Sequence, residues 1–168
     1  MPFAVFLGTK WLGGGTLAVA FQHAEANPGA LIFDTSTGKV VDIDPNNPPG
    51  PEVKGPGRPK LGVTAREVTL LPRHWDWLGA QPGGASVVLR KLVEAAMRDP
   101  KAERISARDA AYRFATAMGG DEAGFEEAMR ALYAGKRKKF RRHLETWPPD
   151  VREHLEKMAA PVFADDDE

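Results

Sequence analysis

The sequence predicts an α+β protein with a small β-α-β-β unit, a strand-helix-helix module in the middle and a C-terminal helical bundle. Three observations carry this. Short apolar runs bounded by Gly, Pro and Asn fill the first 43 residues. From residue 72 onward, apolar residues recur three and four apart, the period of amphipathic helices. Between the two, nine of the seventeen positions 44–60 are Pro or Gly, a composition that favours extended chain and builds no core.

The expected organisation is 1–43, the small unit; 44–60, a Pro/Gly-rich linker; 61–104, the middle module; 105–162, the bundle; and 163–168, an acidic tail. In the first unit, Pro2–Leu7 reads as a buried strand and Gly13–Gly15 as a turn. Thr16 is a suitable N-cap for a helix over 16–26, with Leu17, Ala20, Phe21 and Ala24 on one face. Asn27-Pro28-Gly29 stops it. Residues 30–33 and 39–43, joined by Thr35-Ser36-Thr37-Gly38, read as a hairpin. A unit of about 45 residues is marginal alone, so it is expected to pack on another part of the chain.

In the middle module, residues 65–71 read as a strand and Pro72 opens a helix, where its missing N–H is not needed. Trp75 and Trp77, two apart, cannot share a helix face; one is expected in the core and the other at an interface. After the break at Gln81–Gly84, a helix over 86–98 has Ser86 as N-cap, and Asp99-Pro100 ends it. Four helical stretches follow: 106–118; one capped by Asp121; 136–146; and one opened by Pro148-Pro149. Asp165–Glu168 reads as a solvated tail.

Composition removes several functions. The chain has 168 residues and no Cys, which excludes disulfide frameworks, thiolate zinc sites and cysteine nucleophiles. No apolar run approaches the roughly 20 residues of a membrane span. No basic stretch precedes the apolar Pro2–Leu7, so no secretory signal is expected and the protein is read as cytoplasmic, with no membrane partner. His23, His74, His143 and His154 lack metal-ligand spacing, and Ser86 is not in a Gly-x-Ser-x-Gly elbow. Gly8–Gly15 lacks the Gly-Lys-Ser/Thr ending of a phosphate-binding loop. No catalytic residue, metal or cofactor is assigned, and the protein is not expected to be an enzyme.

The net charge of zero conceals a gradient: −3 over 1–53, +5 over 54–104 and −2 over 105–168. The middle of the chain is therefore the expected contact for an anionic partner. A separate run, Lys136–Lys139 with Arg141 and Arg142, places six basic residues in seven positions around Phe140. It fits either a phosphate-tracking face or a solvated helix surface.

Gly84-Ala85-Ser86, followed by Val87-Val88-Leu89-Arg90-Lys91-Leu92-Val93-Glu94, resembles the second helix of ribbon-helix-helix DNA-binding proteins. Leu71-Pro72 resembles their strand-to-helix junction. The resemblance implies a homodimer whose paired strands enter the major groove, with Gly84, Ala85 and Ser86 clamping a phosphate at a helix N-terminus. Arg66 and Thr69 on the strand and Arg73 at the helix start then contact DNA. Arg66, Val68 and Leu70 would share one strand face and Glu67, Thr69 and Leu71 the other. Gly57-Arg58-Pro59-Lys60 resembles an AT-hook core with Pro56 in place of its first Arg, which implies minor-groove contacts by Arg58, Pro59 and Lys60. The chain as a whole resembles a family of uncharacterised bacterial proteins. The residues that carry this are 57–62, Arg66–Leu78, Gln81–Ser86, Phe125–Ala128 and Trp147-Pro148. The expected function is a dimeric bacterial DNA-binding protein, a transcriptional regulator or nucleoid-associated factor. The alternative is a non-catalytic dimerisation or protein-interaction protein without nucleic-acid binding.

Overall fold

A computed structural model describes residues 2–42, 44 and 66–164. Most of the expected linker, Arg58, Pro59 and Lys60 within it, and Asp165–Glu168 lie outside the described residues. The chain divides into two units, residues 1–51 with 103–168 and residues 52–102. The fold is α+β: one four-stranded antiparallel sheet and, among the described residues, seven helices.

The first unit begins with β1 (Phe3–Leu7), β2 (Lys10–Gly15), α1 (Leu17–Glu25), β3 (Leu31–Asp34) and β4 (Lys39–Val41). The sheet order is β2-β1-β3-β4, with every neighbouring pair antiparallel. Thr16 caps α1 through its hydroxyl, which accepts from the Val19 N–H at 3.4 Å. The expected β-α-β-β order needs one correction. Lys10–Gly15, whose glycines read as a turn, is a strand paired with β1 from Leu7↔Lys10 to Phe3↔Gly15. Glycine is depleted in strands because it offers nothing to pack. Here that absence makes room for α1: a Cβ on Gly13 would lie 2.8 Å from the His23 ring, and one on Gly15 would lie 3.2 Å from Val19.

Strand alternation assigns the two faces of the sheet. Val5 and its register partner Ile32 pack with Ala20 of α1. Ala4, Phe6 and Phe33 point the other way, into the main core. That core is completed by α4 (Pro100–Gly119), α5 (Phe125–Tyr133), α6 (Arg137–His143) and α7 (Pro149–Ala159), followed by a 3-10 turn over Ala160–Phe163. The sheet is thus covered on both faces, the arrangement a short amphipathic unit needs to bury its second side.

Helix boundaries follow local chemistry. α4 starts at Pro100, six residues before its expected start, because Asp99 accepts from the Lys101 N–H at 2.9 Å and Pro100 occupies the first turn. Asp121 does not cap α5. Residues 120–124 form a turn, with the Glu122 N–H on the carbonyl of Gly119, the last residue of α4, at 3.0 Å, and Gly124 precedes the helix. α6 ends at His143 where 146 was expected, with Phe140 and Leu144 buried as their four-residue spacing requires.

The second unit contains α2 (Pro72–Gly79) and α3 (Gly84–Met97). Arg66–Leu71, the described part of the expected strand, is irregular in the single chain, where no strand among the described residues lies beside it; the pairing expected for it is with a second copy. Ser86 is not the N-cap of α3. Gly83 holds that position, and Ser86 lies inside the first turn. Neither tryptophan is a core residue: Trp75 is 42% exposed and Trp77 52%.

Candidate nucleic-acid interface

The second unit is built from two helices whose apolar side chains outnumber the core they make. α2 starts at Pro72, with the His74 N–H donating to the Leu71 carbonyl at 2.8 Å. Its end is fixed by the Ala80 N–H on the Asp76 carbonyl at 3.1 Å, and the Gln81 side chain returns to the Trp77 carbonyl. Among residues 66–102, Leu78 alone is fully buried. Val68, Leu71, Trp75, Trp77, Leu92 and Val93 are all exposed, and Met97 reaches 75%. Large apolar side chains left exposed in such number are a surface for association.

The start of α3 presents its backbone. Gly83 (φ +93°) and Gly84 (φ +75°) adopt the left-handed region, which strains any other side chain, and no side chain caps the helix. The Gly84 N–H donates to the Gln81 carbonyl at 3.3 Å. The first-turn N–H groups of a 14-residue helix without a side-chain cap carry the positive end of its dipole.

The described site residues fall into two sets. Gly84, Ala85 and Ser86 share the first turn of α3, where Gly84 and Ser86 are exposed. Arg66 and Thr69 lie in the irregular segment and Arg73 in the first turn of α2, all three exposed and without an ion pair or hydrogen bond among the described residues. No hydrogen bond joins the two sets.

Three features of the first unit escaped the sequence reading. Arg108, Tyr112 and Tyr133 converge from α4 and α5. The guanidinium lies 4.5 Å from the Tyr133 ring centre, and the two tyrosines pack edge-on at 5.9 Å. His154 of α7 sits against Phe6 at 5.3 Å and Phe114 at 4.9 Å, its Nε2 buried without a partner. Burial, aided by Lys157, pushes its pKa down to about 4. A cavity of about 320 Å³ lies between α1 and β3–β4, lined by Phe21, Ile32 and Val41 among others, with Glu25 and Asp42 on its wall. Only the tyrosine pair had a sequence signal, the four-residue step from Arg108 to Tyr112, and that step names no partner helix. Among the described residues, no three His, Asp or Glu side chains are grouped to hold a metal, and no helix is long and apolar enough to cross a membrane.

Fold and surface together define an α+β protein of two units, one of which carries a helical hairpin with exposed large apolar side chains. The chain belongs to DUF2239, a family described as an uncharacterized protein conserved in bacteria, whose model matches residues 2–159. No curated protein and no solved structure matches it.

Proposed function

We propose that this protein is a homodimeric DNA-binding protein, a bacterial regulator or nucleoid-associated factor, whose α2–α3 hairpins pair across two copies. The observation that carries the reading is the second unit itself: among its described residues one is fully buried, while its two helices expose Trp75, Trp77, Leu92, Val93 and Met97 and the segment before them exposes Val68 and Leu71. Pairing with a second copy covers that surface by a symmetric contact. It also sets two α3 N-termini, each able to hold a phosphate, on one assembly. In this reading Arg66, Thr69 and Arg73 add phosphate and groove contacts to the clamp made by Gly84, Ala85 and Ser86, and the arm at Arg58, Pro59 and Lys60 adds a minor-groove contact.

A second reading keeps the dimer and removes the DNA. It is favoured by the net charge of zero, which gives the whole chain no overall attraction to a polyanion.

The test couples light scattering to fluorescence anisotropy on labelled A/T-rich and G/C-rich duplexes across a salt series. The expected result is a dimer whose duplex affinity falls steeply with salt. Leu92→Glu with Val93→Glu should give a monomer that no longer binds. Ser86→Glu suits the helix dipole but repels phosphate, so it should keep the dimer and weaken duplex binding about tenfold. Arg58→Ala with Lys60→Ala should flatten the salt slope by about 2. A monomeric wild type overturns the proposal. A dimer that ignores duplex at low salt leaves the second reading standing in its place.

A further inference from the structure

We propose that the first unit carries a separate surface for single-stranded nucleic acid, formed by α6 and the Arg108–Tyr112–Tyr133 cluster. It involves none of the α2–α3 residues and stands or falls independently of them.

Charge is the first argument. Phe140 and Leu144 turn the apolar side of α6 into the core, so Lys138, Lys139, Arg141 and Arg142 face solvent. Arg141 is neutralised by Glu156 at 3.0 Å. Lys136, Lys138, Lys139 and Arg142 are exposed and have no ion pair among the described residues. Their spacings of three (Lys136–Lys139, Lys139–Arg142) and four (Lys138–Arg142) place like charges side by side on the helix, where they repel. A polyanion relieves that repulsion and releases its own counterions on binding.

The aromatic pair is the second. Tyr133 ends α5 three residues before Lys136, so the exposed tyrosines stand at the root of the basic helix. Tyr133 is 50% exposed and Tyr112 39%. Arg108, with Asp109 3.5 Å from its Nε, adds a planar cation against the Tyr133 ring. Rings beside a backbone-tracking basic surface are what unpaired bases stack on; bases inside a duplex are unavailable to them. A bilayer is the poorer occupant, because the apolar residues of α6 are spent on the core and leave no face to insert.

The probes are fluorescein-labelled 15-nucleotide oligo(dT) and oligo(U), a 15-base-pair duplex, and vesicles containing phosphatidylserine. The wild type should bind both single strands with a salt-dependent Kd and prefer them to the vesicles. Lys138→Gln with Lys139→Gln and Arg142→Gln keeps helix-forming side chains. It should weaken single-strand binding at least tenfold and reduce the salt slope by about 2. Tyr133→Leu should weaken it about fivefold or more with the slope unchanged. Ser86→Glu should leave single-strand affinity as it was, which separates this surface from the α3 clamp. Absence of single-strand binding at low salt overturns the proposal. So does binding that the triple variant or Tyr133→Leu leaves intact, or a preference for the vesicles.

Discussion

His154 shows how one side chain records the burial around it. Its ring lies between Phe6 and Phe114, from β1 and α4, and its Nε2 has no partner. Burial therefore favours the neutral ring and lowers its pKa to about 4 from the 6.5 of an exposed histidine. Between these values the unfolded chain binds more protons than the folded one, so stability is fully present above pH 6.5 and falls as pH drops toward 4. The loss, discounted for the part of the ring that water still reaches, is on the order of 1–2 kcal/mol. Urea midpoints across pH 7.0 to 4.5 should show it for the wild type, and His154→Phe should flatten the slope. An unchanged slope removes His154 as its source. Asp34 runs the opposite way. Burial works to raise its pKa, but hydrogen bonds from Ser36 and Thr37, with the Ser36 hydroxyl at 2.6 Å, outweigh it and hold the carboxyl below its ordinary range.

At the scale of the element, the β3–β4 turn is fitted to α4 through one glycine. Gly38 has a positive φ of 69°, and a Cβ there would run into the Ala110 carbonyl of α4. The Arg113 side chain holds the same turn by donating to the Thr37 carbonyl at 3.0 Å. Gly38→Ala combines backbone strain with a clash that neither backbone can relieve, and should cost about 2–4 kcal/mol. Thermal unfolding checks this against Gly79→Ala, where the added methyl meets open space and the change should be about 0.5 kcal/mol or less. The same scale explains how legible the elements were. Thr16, Pro72, Pro148 and Pro149 are local signals, and the helices they open were read from sequence. β2 was missed because its glycines serve α1, a partner the local pattern does not name. Residues 66–71 were read as a strand that pairs with a second copy, and a strand exists only when something pairs with it, so a single chain leaves that segment irregular.

At the scale of the molecule, the two units differ in what stabilises them. The first encloses Phe6, Phe33, Phe114, Trp147 and Leu155 in one core shared by sheet and helices. Among its described residues the second encloses Leu78, half-buries Leu70, Val87, Val88 and Leu89, and exposes Trp75, Trp77, Leu92, Val93 and Met97. A hairpin with so little core is expected to open easily unless a second copy covers it. Hydrogen exchange should therefore show α3 amides that gain protection as protein concentration rises, while α4 and α7 stay protected throughout. Protection of α3 that does not change with concentration counts against pairing of the two copies.

Local sequence was enough to give the α+β class, most of the helices, and the burial of Phe140 and Leu144. These follow from period, caps and polarity, which act within a few residues. Only the tertiary structure decided that the glycines of β2 form a strand, that the sheet is covered on both faces, that both Trp75 and Trp77 are exposed, and that Arg108, Tyr112 and Tyr133 meet. Each of these depends on contacts between residues far apart in the chain, and a local pattern carries no record of which distant surface will arrive.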